Sequence, residues 1–402
     1  MVATTEDYRL SVYQGADDAR YSGVVKIFAE GIVGSGSLLY GGQMILTAAH
    51  LFDANPDSVE VRFDAPFGSS TTISASLLTI LPAYDSVSQN YDVALLTLAQ
   101  PAPDYARRYD LYRQRDELHQ VFDLVGYGRP GAGAEGVTSE VPTSAERLVA
   151  QNRFDTDVGT LDLFTFDQMS WGPVAGTQLV ADFDDGSVAL DSLGQLMGVN
   201  DLGQNLLEGL ITPGDSGGPA FIDGQVAGVA SYIARFAQGD QYLDTNETID
   251  SSFGELAFWQ RVSSYTQWID TQIQQTYPDA PQHPEEVVTA VLEGDPGSVQ
   301  RAYFLLQFTG VVAPGESVSV AYQTRDGTAL AGEDYIAVAG RAVIYGSQQQ
   351  TVIAVELIED VTAESNEHFW LDISDPQGGV LPGGASVISA QRLILDDDQL
   401  IA

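Results

Sequence analysis

The hexapeptide Gly214-Asp215-Ser216-Gly217-Gly218-Pro219 is the most informative stretch of this chain. Its serine has glycines close on both sides, and glycine permits a tight turn and the close approach of a second molecule. A nucleophilic serine also needs backbone N–H groups aimed at the negative charge that develops on the attacked carbonyl oxygen. We therefore expect Ser216 to be a nucleophile, with the amides of Gly214 and Ser216 forming the oxyanion hole.

Ser216 requires a histidine nearby in space, because a serine hydroxyl is inert near neutral pH unless a base takes its proton. The chain has four histidines. His283 and His368 lie in the C-terminal third of the chain, which leaves His50 and His119 as candidates. His50 directly follows an apolar run, where the end of a strand can aim an imidazole. His119 lies in the polar stretch 115–119, and we interpret it as a surface residue.

The imidazole in turn needs a buried carboxylate that holds its tautomer and stabilises its cation. Asp92 stands directly before the apolar residues of the run Tyr91-Asp92-Val93-Ala94-Leu95-Leu96. An aspartate in this place is usually a turn or cap residue. Together with the histidine and serine motifs, we predict that Asp92 is the buried partner of His50.

Three segments together resemble the chymotrypsin/trypsin family of serine proteases, in the order His, Asp, Ser. They are Thr47-Ala48-Ala49-His50, Asp92-Val93-Ala94-Leu95-Leu96 and the hexapeptide around Ser216. The resemblance covers about residues 20–277. It implies two six-stranded antiparallel β-barrels with a C-terminal helix, and a serine endopeptidase in which His50, Asp92 and Ser216 are catalytic.

The resemblance also implies a substrate pocket. Ser231 matches the position that hydrogen-bonds the triad aspartate, and Tyr232 and Ile233 match one wall of the pocket. Leu210 stands six residues before the serine, where trypsin has an acidic pocket base. The resemblance therefore predicts a preference for small or medium aliphatic residues over Lys and Arg.

Two departures from the family pattern concern activation and cross-linking. No stretch like Ile-Val-Gly-Gly, whose new amine would pair with Asp215, occurs near the start. Either cleavage after Arg9 or Arg20 supplies the amine that pairs with Asp215, or donors within the uncleaved chain bind its carboxylate. The chain also has no cysteine, which excludes disulfides and thiolate catalysis and requires packing or bound metal to hold the loops.

The charge of the chain limits its partners. There are 56 acidic and 17 basic residues, giving a net charge of −39. We do not expect nucleic acid or an anionic membrane surface as a partner, because phosphate contacts need clustered Lys and Arg. Such acidity suits high salt or an environment that supplies divalent cations, and a soluble acidic secreted protein is the alternative.

The chain is long enough for two or three compact units, and short Val-, Ile- and aromatic-rich runs between turns predict a mainly β protein. We expect a protease domain over 1–277 that ends in a helix from Ala257 onward, with apolar residues at helical spacing. Three prolines in seven residues predict a linker over 278–286. A second all-β domain is expected over 287–402.

This C-terminal part resembles a Calx-beta domain over about 287–398, on motifs such as Asp326-Gly327-Thr328-Ala329 and Gly332-Glu333-Asp334-Tyr335. The resemblance implies a seven-stranded immunoglobulin-like sandwich that binds calcium at one end. Its candidate ligands are Glu293, Asp334, Asp360, Glu364, Glu367, Asp397 and Asp398. The alternative is a spacer whose acids only solvate the strand ends. A further acidic run, Asp182-Phe183-Asp184-Asp185-Gly186, suits calcium too, but we favour an acidic surface turn.

The first residues lack the basic start and apolar core of a signal peptide, and no run is apolar enough to span a bilayer. We expect an extracellular or periplasmic endopeptidase that acts on proteins or peptides, without membrane insertion and with cell-surface or matrix association through its C-terminal domain. A catalytically inactive adhesion or matrix protein on the same scaffold is the alternative function.

Overall fold

The computed structural model describes residues 2–137, 147–165, 168–246, 248–277, 279–294 and 300–398. It is mainly β and 12% helical. The chain forms two compact units: residues 1–39 with 44–266, and residues 40–43 with 267–402. The expected domain limits at 277 and 286 stay a prediction, and Pro278 of the expected linker lies outside the described residues.

Six strands of the first unit close into a barrel, in the order β2-β3-β4-β7-β6-β5. The strands of this part are β1 (Ala3–Thr4), β2 (Val24–Ala29), β3 (Ile32–Leu38), β4 (Met44–Thr47), β5 (Val59–Asp64), β6 (Ser70–Ile80) and β7 (Ala94–Leu98). In β5, the residues Val59, Val61 and Phe63 are buried and alternate with more exposed charged residues. This period of two is what a half-buried strand requires.

A second, curled sheet of the first unit has seven strands in the order β11-β8-β15-β16-β19-β13-β12. The remaining elements of this unit are β8 (Val121–Gly126), β9 (Gly131–Ala132), β10 (Gly136–Val137), β11 (Leu148–Arg153), β12 (Thr156–Asp157), α1 (Val158–Thr165), β13 (Gln178–Asp182), α2 (Ser192–Met197), β14 (Gly209–Leu210), β15 (Pro219–Ile222), β16 (Gln225–Ala234), β17 (Ala237–Gln238), β18 (Gln241–Tyr242) and β19 (Leu256–Arg261). The expected trypsin-like fold is confirmed. Its first half is a closed six-stranded barrel, and its second half is a curled seven-stranded sheet that stays open, with an edge strand β12 of two residues.

Three aromatic side chains fill the core behind this second sheet. Phe122 stacks on Phe154 at 4.0 Å between ring centroids, and Trp259 meets both rings edge-on at 5.0 and 5.7 Å. All three are at most 1% exposed. This packing fixes β8 and β19, the strands that flank β15 and β16 in the sheet.

The expected helix begins later than the periodicity predicts. Residues from Leu256 to Arg261 form β19, in which Phe258 pairs with Val180 and Tyr232 of the neighbouring strands. The helix α3 runs over Thr266–Gln275, with Ile269 and Ile273 buried. The prediction was wrong for residues 257–265, because the pairing of neighbouring strands, which periodicity does not register, decides the conformation of β19.

The second unit contains α3 and seven strands, as a seven-stranded sandwich requires. They are β20 (Ala290–Leu292), β21 (Arg301–Gln307), β22 (Ser317–Asp326), β23 (Ala339–Tyr345), β24 (Gln350–Glu356), β25 (Glu367–Gln377) and β26 (Val387–Leu395). Five form one sheet, β20-β26-β25-β22-β23, and β21 pairs with β24. Phe304, Tyr335 and Phe369 pack between them.

Two expectations about acidic segments were wrong. Asp182 ends the buried strand β13, and Asp182 and Asp184 are 1% and 3% exposed, so this run is not a surface turn. In the stretch 115–119, His119 is exposed as expected, but Glu117 is completely buried in an ion pair with Arg261. Local polarity alone could not reveal a partner more than a hundred residues away.

Candidate active site

The structure brings His50, Asp92 and Ser216 together between the barrel and the second sheet. His50 Nε2 lies 2.8 Å from Ser216 Oγ, and His50 Nδ1 lies 2.7 Å from Asp92 Oδ2. Asp92 is completely buried, the His50 side chain is 22% exposed and Ser216 is partly exposed. A molecule arriving from solvent can therefore reach the serine and the imidazole but not the carboxylate.

Local structure positions the first two of these side chains. His50 lies in a short 3-10 turn, Ala49–Phe52, that directly follows β4. Asp92 precedes β7, which pairs with β4, and the turn before it places Tyr91 at φ 58°. A positive φ is costly for a bulky residue, so the paired strands hold this turn where Asp92 meets His50.

Asp92 accepts three hydrogen bonds. Besides His50 Nδ1, the backbone N–H of His50 donates to Oδ1 at 2.8 Å, and the Ser231 hydroxyl donates to Oδ2 at 2.5 Å. Ser231 therefore makes the contact that the sequence resemblance implied for it. Donors on both carboxylate oxygens fix its orientation toward the ring.

The environment of His50 changes its basicity. Burial alone would lower the pKa of the imidazole, but the hydrogen bond to Asp92 and the charge of that carboxylate outweigh burial, so the pKa of His50 is raised. The neutral ring must carry its proton on Nδ1 to donate to Asp92, which leaves Nε2 as an acceptor for the Ser216 hydroxyl.

Two positions of the hexapeptide require glycine because of their backbone conformation. Gly214 and Gly217 have φ values of 103° and 83°, a region that residues with a Cβ rarely adopt. A Cβ on Gly217 would also lie 2.0 Å from Thr47 Oγ1. Within the described residues, the amides of Gly214 and Ser216 donate to no protein acceptor, as an oxyanion hole requires.

Ser35, on β3, holds the loop that carries these amides. Its hydroxyl donates to the Gly214 carbonyl at 2.9 Å and accepts from the Tyr127 amide at 3.0 Å, while its own amide donates to the Ser216 carbonyl at 2.8 Å. No catalytic motif named in the sequence analysis includes Ser35. Its role as a fixed point between barrel and loop becomes visible only in the structure.

Asp215 points away from the catalytic side chains and is buried. It accepts from the amides of Gly128 and Thr212 at 2.7 and 2.9 Å and from the Thr212 hydroxyl at 3.0 Å. Burial raises the pKa of this carboxyl. Whether a new amine or internal donors satisfy Asp215 stays a prediction. Cleavage after Arg9 or Arg20 would remove β1, which pairs with β9 and β14.

Two family models match this chain. Residues 12–209 match the Trypsin family model, and residues 289–398 match the Calx-beta domain model. The chain carries a trypsin-family domain followed by a Calx-beta domain. A solved structure of neuropsin, a serine protease expressed in the limbic system of mouse brain, is 15% identical with a TM-score of 0.46, covering 65% of this chain and 98% of that one. The search of curated proteins found no match.

Three of the predicted pocket residues of the trypsin-family domain lie in apolar surroundings. Leu210 is completely buried in the core cluster that also contains Ala257, and Ile233 packs against that cluster. Ile233 is the strand partner of Ala257. Tyr232 belongs instead to the neighbouring cluster, where it stacks on Phe258 at 4.5 Å.

No sequence motif indicated the two side chains that hold Tyr232. Its hydroxyl donates to Gln178 Oε1 at 2.6 Å and accepts from Trp171 Nε1 at 3.2 Å. The indole also meets the Tyr232 ring edge-on, with centroids 6.0 Å apart. Trp171 and Gln178 therefore immobilise this predicted wall, and no motif marked either of them.

In the Calx-beta domain the structure brings part of the predicted calcium ligands together. Asp334, Glu364 and Glu367 each offer a carboxylate oxygen, and these oxygens lie within 4.8 Å of one another. Burial and then the charge of Asp334 raise the pKa of Glu367 to about 7. Crowded carboxylates of this kind favour a cation.

The other predicted ligands surround this group less tightly. Burial and then the charge of Asp360 raise the pKa of Glu293 to about 7, with Asp398 contributing more weakly. Asp397 accepts from the Gly294 amide at 3.2 Å. Asp396, which was not among the predicted ligands, has a buried Oδ1 without a hydrogen-bond partner in the described residues.

None of the helices in the described residues has both the length and the apolar character needed to cross a membrane.

Proposed function

We propose that the trypsin-family domain is an active serine endopeptidase. The observation that carries the proposal is the continuous hydrogen-bond chain from Ser231 through Asp92 and His50 to Ser216. A scaffold without activity needs no such chain, because each of these polar groups could be replaced or bonded elsewhere. The alternative of an inactive adhesion protein has no specific observation in its favour.

The proposed mechanism is acyl transfer to Ser216. His50 Nε2 takes the hydroxyl proton as Oγ forms a bond to the peptide carbonyl carbon, and Asp92 stabilises the resulting imidazolium. The amides of Gly214 and Ser216 bind the oxyanion. His50 then gives its proton to the leaving amine, and a water molecule, activated by the same imidazole, hydrolyses the acyl-enzyme.

We further propose a preference for small or medium aliphatic side chains before the cleaved bond. Support comes from Leu210, which puts no charge at the predicted pocket base, and from Ile233, whose branched side chain would narrow the pocket beside Ala257. In a pocket without a buried carboxylate, a Lys or Arg side chain would lose its hydration and gain no opposite charge in return. Tyr232 would act in this pocket as a fixed wall.

For the Calx-beta domain we propose calcium binding by Asp334, Glu364 and Glu367, assisted by Glu293, Asp360, Asp397 and Asp398. Oxygen-only donors from several loops are the ligand set that calcium prefers. We propose that the protein acts outside the cytoplasm on protein or peptide substrates, and that this domain stabilises the enzyme or attaches it to a cell surface or matrix.

A fluorophosphonate probe tests the enzyme proposal. We expect the full chain in calcium-containing buffer to be labelled and to cleave a peptide library after Ala, Val or Leu. Ser216→Ala should abolish both, and Ser37→Ala, whose hydroxyl is buried without a partner in the described residues, should retain both. A folded wild-type chain that neither takes the label nor cleaves any peptide would support the inactive scaffold.

A further inference from the structure

A group of carboxylates in the second sheet of the trypsin-family domain lies apart from the predicted catalytic residues. We call Asp182, Asp184, Asp191 and Glu208 the acid pocket. Asp182 ends β13, Asp191 precedes α2 and Glu208 precedes β14. All four are between 1% and 3% exposed, although carboxylates are almost never buried without a partner.

The oxygens of the acid pocket converge. Asp182, Asp184 and Asp191 each offer one carboxylate oxygen, and these lie within 4.8 Å of one another. Glu208 lies alongside, since a Cβ built on Gly203 would be 2.9 Å from both Asp184 Cβ and Glu208 Cδ. Four buried acids from three segments of the chain therefore face one small volume.

Several of these oxygens have nothing to bind within the protein. Among the described residues, Asp184 Oδ1, Asp191 Oδ2 and Glu208 Oε1 are buried and lack a hydrogen-bond partner. Backbone amides do hold three other oxygens: Leu193 donates to Asp182 at 2.7 Å, Gly194 donates to Asp191 at 2.6 Å, and Gln204 donates to Glu208. These amides orient the carboxylates without neutralising them.

The charge of Arg153 acts on Asp182 and Asp191 of the acid pocket, but Arg153 forms no ion pair with either of them among the described residues. Arg153 pairs instead with Asp155 at 2.7 Å and with Asp201 at 2.6 Å. A buried, unpaired carboxylate is very costly.

We infer that the acid pocket binds one calcium ion, held by Asp182, Asp184, Asp191 and Glu208. The donors are all oxygens, which selects a hard cation over zinc or copper. Magnesium usually keeps several of its waters and is seldom bound by a set of protein carboxylates alone, which favours calcium as the ion of this pocket. The site would tie β13, α2 and the segment before β14 together in a chain without disulfides.

Calcium binding to the full chain tests this inference. The double variant Glu364→Gln with Glu367→Gln weakens the proposed calcium site of the Calx-beta domain. Calcium bound to this variant is counted with ⁴⁵Ca by equilibrium dialysis, and further substitutions are added to it. Adding Asp184→Asn should remove one calcium per chain. Adding Asp185→Asn, an exposed carboxylate one residue away, should remove none. Equal calcium counts for the two variants would overturn the inference.

Two further measurements keep the test decisive. Circular dichroism in chelator should show that Asp184→Asn folds, because the substitution removes an uncompensated charge at constant volume. If Asp184→Asn fails to fold, the calcium count of the variant Glu364→Gln with Glu367→Gln is used instead. If that variant binds no calcium, the inference is overturned. Magnesium at equal concentration should leave the calcium bound, and displacement by magnesium would contradict the assignment to calcium. Neither readout depends on proteolysis.

Discussion

The buried ion pair between Glu117 and Arg261 should be one of the most sensitive points of the trypsin-family domain. Arg261 Nε lies 3.0 and 3.1 Å from the two Glu117 oxygens, and a second nitrogen also contacts the carboxylate. The Ser263 hydroxyl donates to Glu117 at 2.6 Å. Glu117 is completely buried and Arg261 is 7% exposed. Replacing Glu117 by Gln leaves a buried guanidinium without its counter-charge.

The expected loss follows from this burial. Removing one partner of a buried pair costs about 3–5 kcal/mol. In a domain of 150–250 residues, each kcal/mol lowers the melting temperature by about 2–4 °C, so Glu117→Gln should lower it by about 6–20 °C. Arg261 ends β19 and pairs with Gly228 of β16, the strand that carries Ser231, so activity should disappear at the same lowered temperature.

Urea unfolding of the full chain, followed by tryptophan fluorescence to which the buried Trp259 contributes as one of four tryptophans, measures this loss. The double variant Glu117→Leu with Arg261→Met is the control, because replacing both charges by apolar groups of similar volume is often neutral. It should recover at least half of the stability lost by Glu117→Gln. The reasoning is refuted if Glu117→Gln costs less than about 1 kcal/mol, or if the double variant is less stable than the single one.

Three further predictions concern the proposed active site. Because the pKa of His50 is raised by Asp92 and the neutral imidazole is the base, kcat/KM should fall on the acid side with a midpoint above about pH 6.5; a midpoint at or below that value would contradict the geometry. Ser35→Ala, which frees the oxyanion loop, should lower kcat about tenfold with little change in KM, whereas Ser37→Ala should leave both constants unchanged. Ile233→Gly should raise the preference for Phe over Ala before the cleaved bond by about tenfold, and an unchanged cleavage profile would remove Ile233 from the pocket.

The local parts of the fold could be predicted from the sequence because they depend on neighbouring residues. Short apolar runs between turns predicted strands correctly, as in β2 and β22, since residues on one face of a sheet recur with a period of two. The hexapeptide around Ser216 similarly carries its own turn chemistry. The predicted start of α3 was wrong because Leu256–Arg261 is buried on both faces, and only its pairing with β13 and β16 distinguishes such a run from a buried helix.

The contacts of the candidate site that sequence reasoning missed all join distant segments. Ser35 acts on a loop about 180 residues later, and Gln178 and Trp171 reach Tyr232 from a part of the chain without a motif. Composition was also misleading for buried charge. Glu117 and Asp184 lie in stretches that read as solvated, because a sequence window records how polar its residues are and not whether a partner or a cation covers them.

The acidity of the chain has two physical sources that respond differently to ions. Carboxylates on the surface repel one another through solvent, and salt screens this repulsion over about 8–10 Å. The acid pocket is closed to bulk solvent, so dissolved salt screens Asp182 and Asp184 much less, and a coordinated cation is the effective way to neutralise them. Sodium chloride and calcium therefore cannot substitute for each other in stabilising this protein, and dependence on high salt alone would leave the acid pocket unexplained.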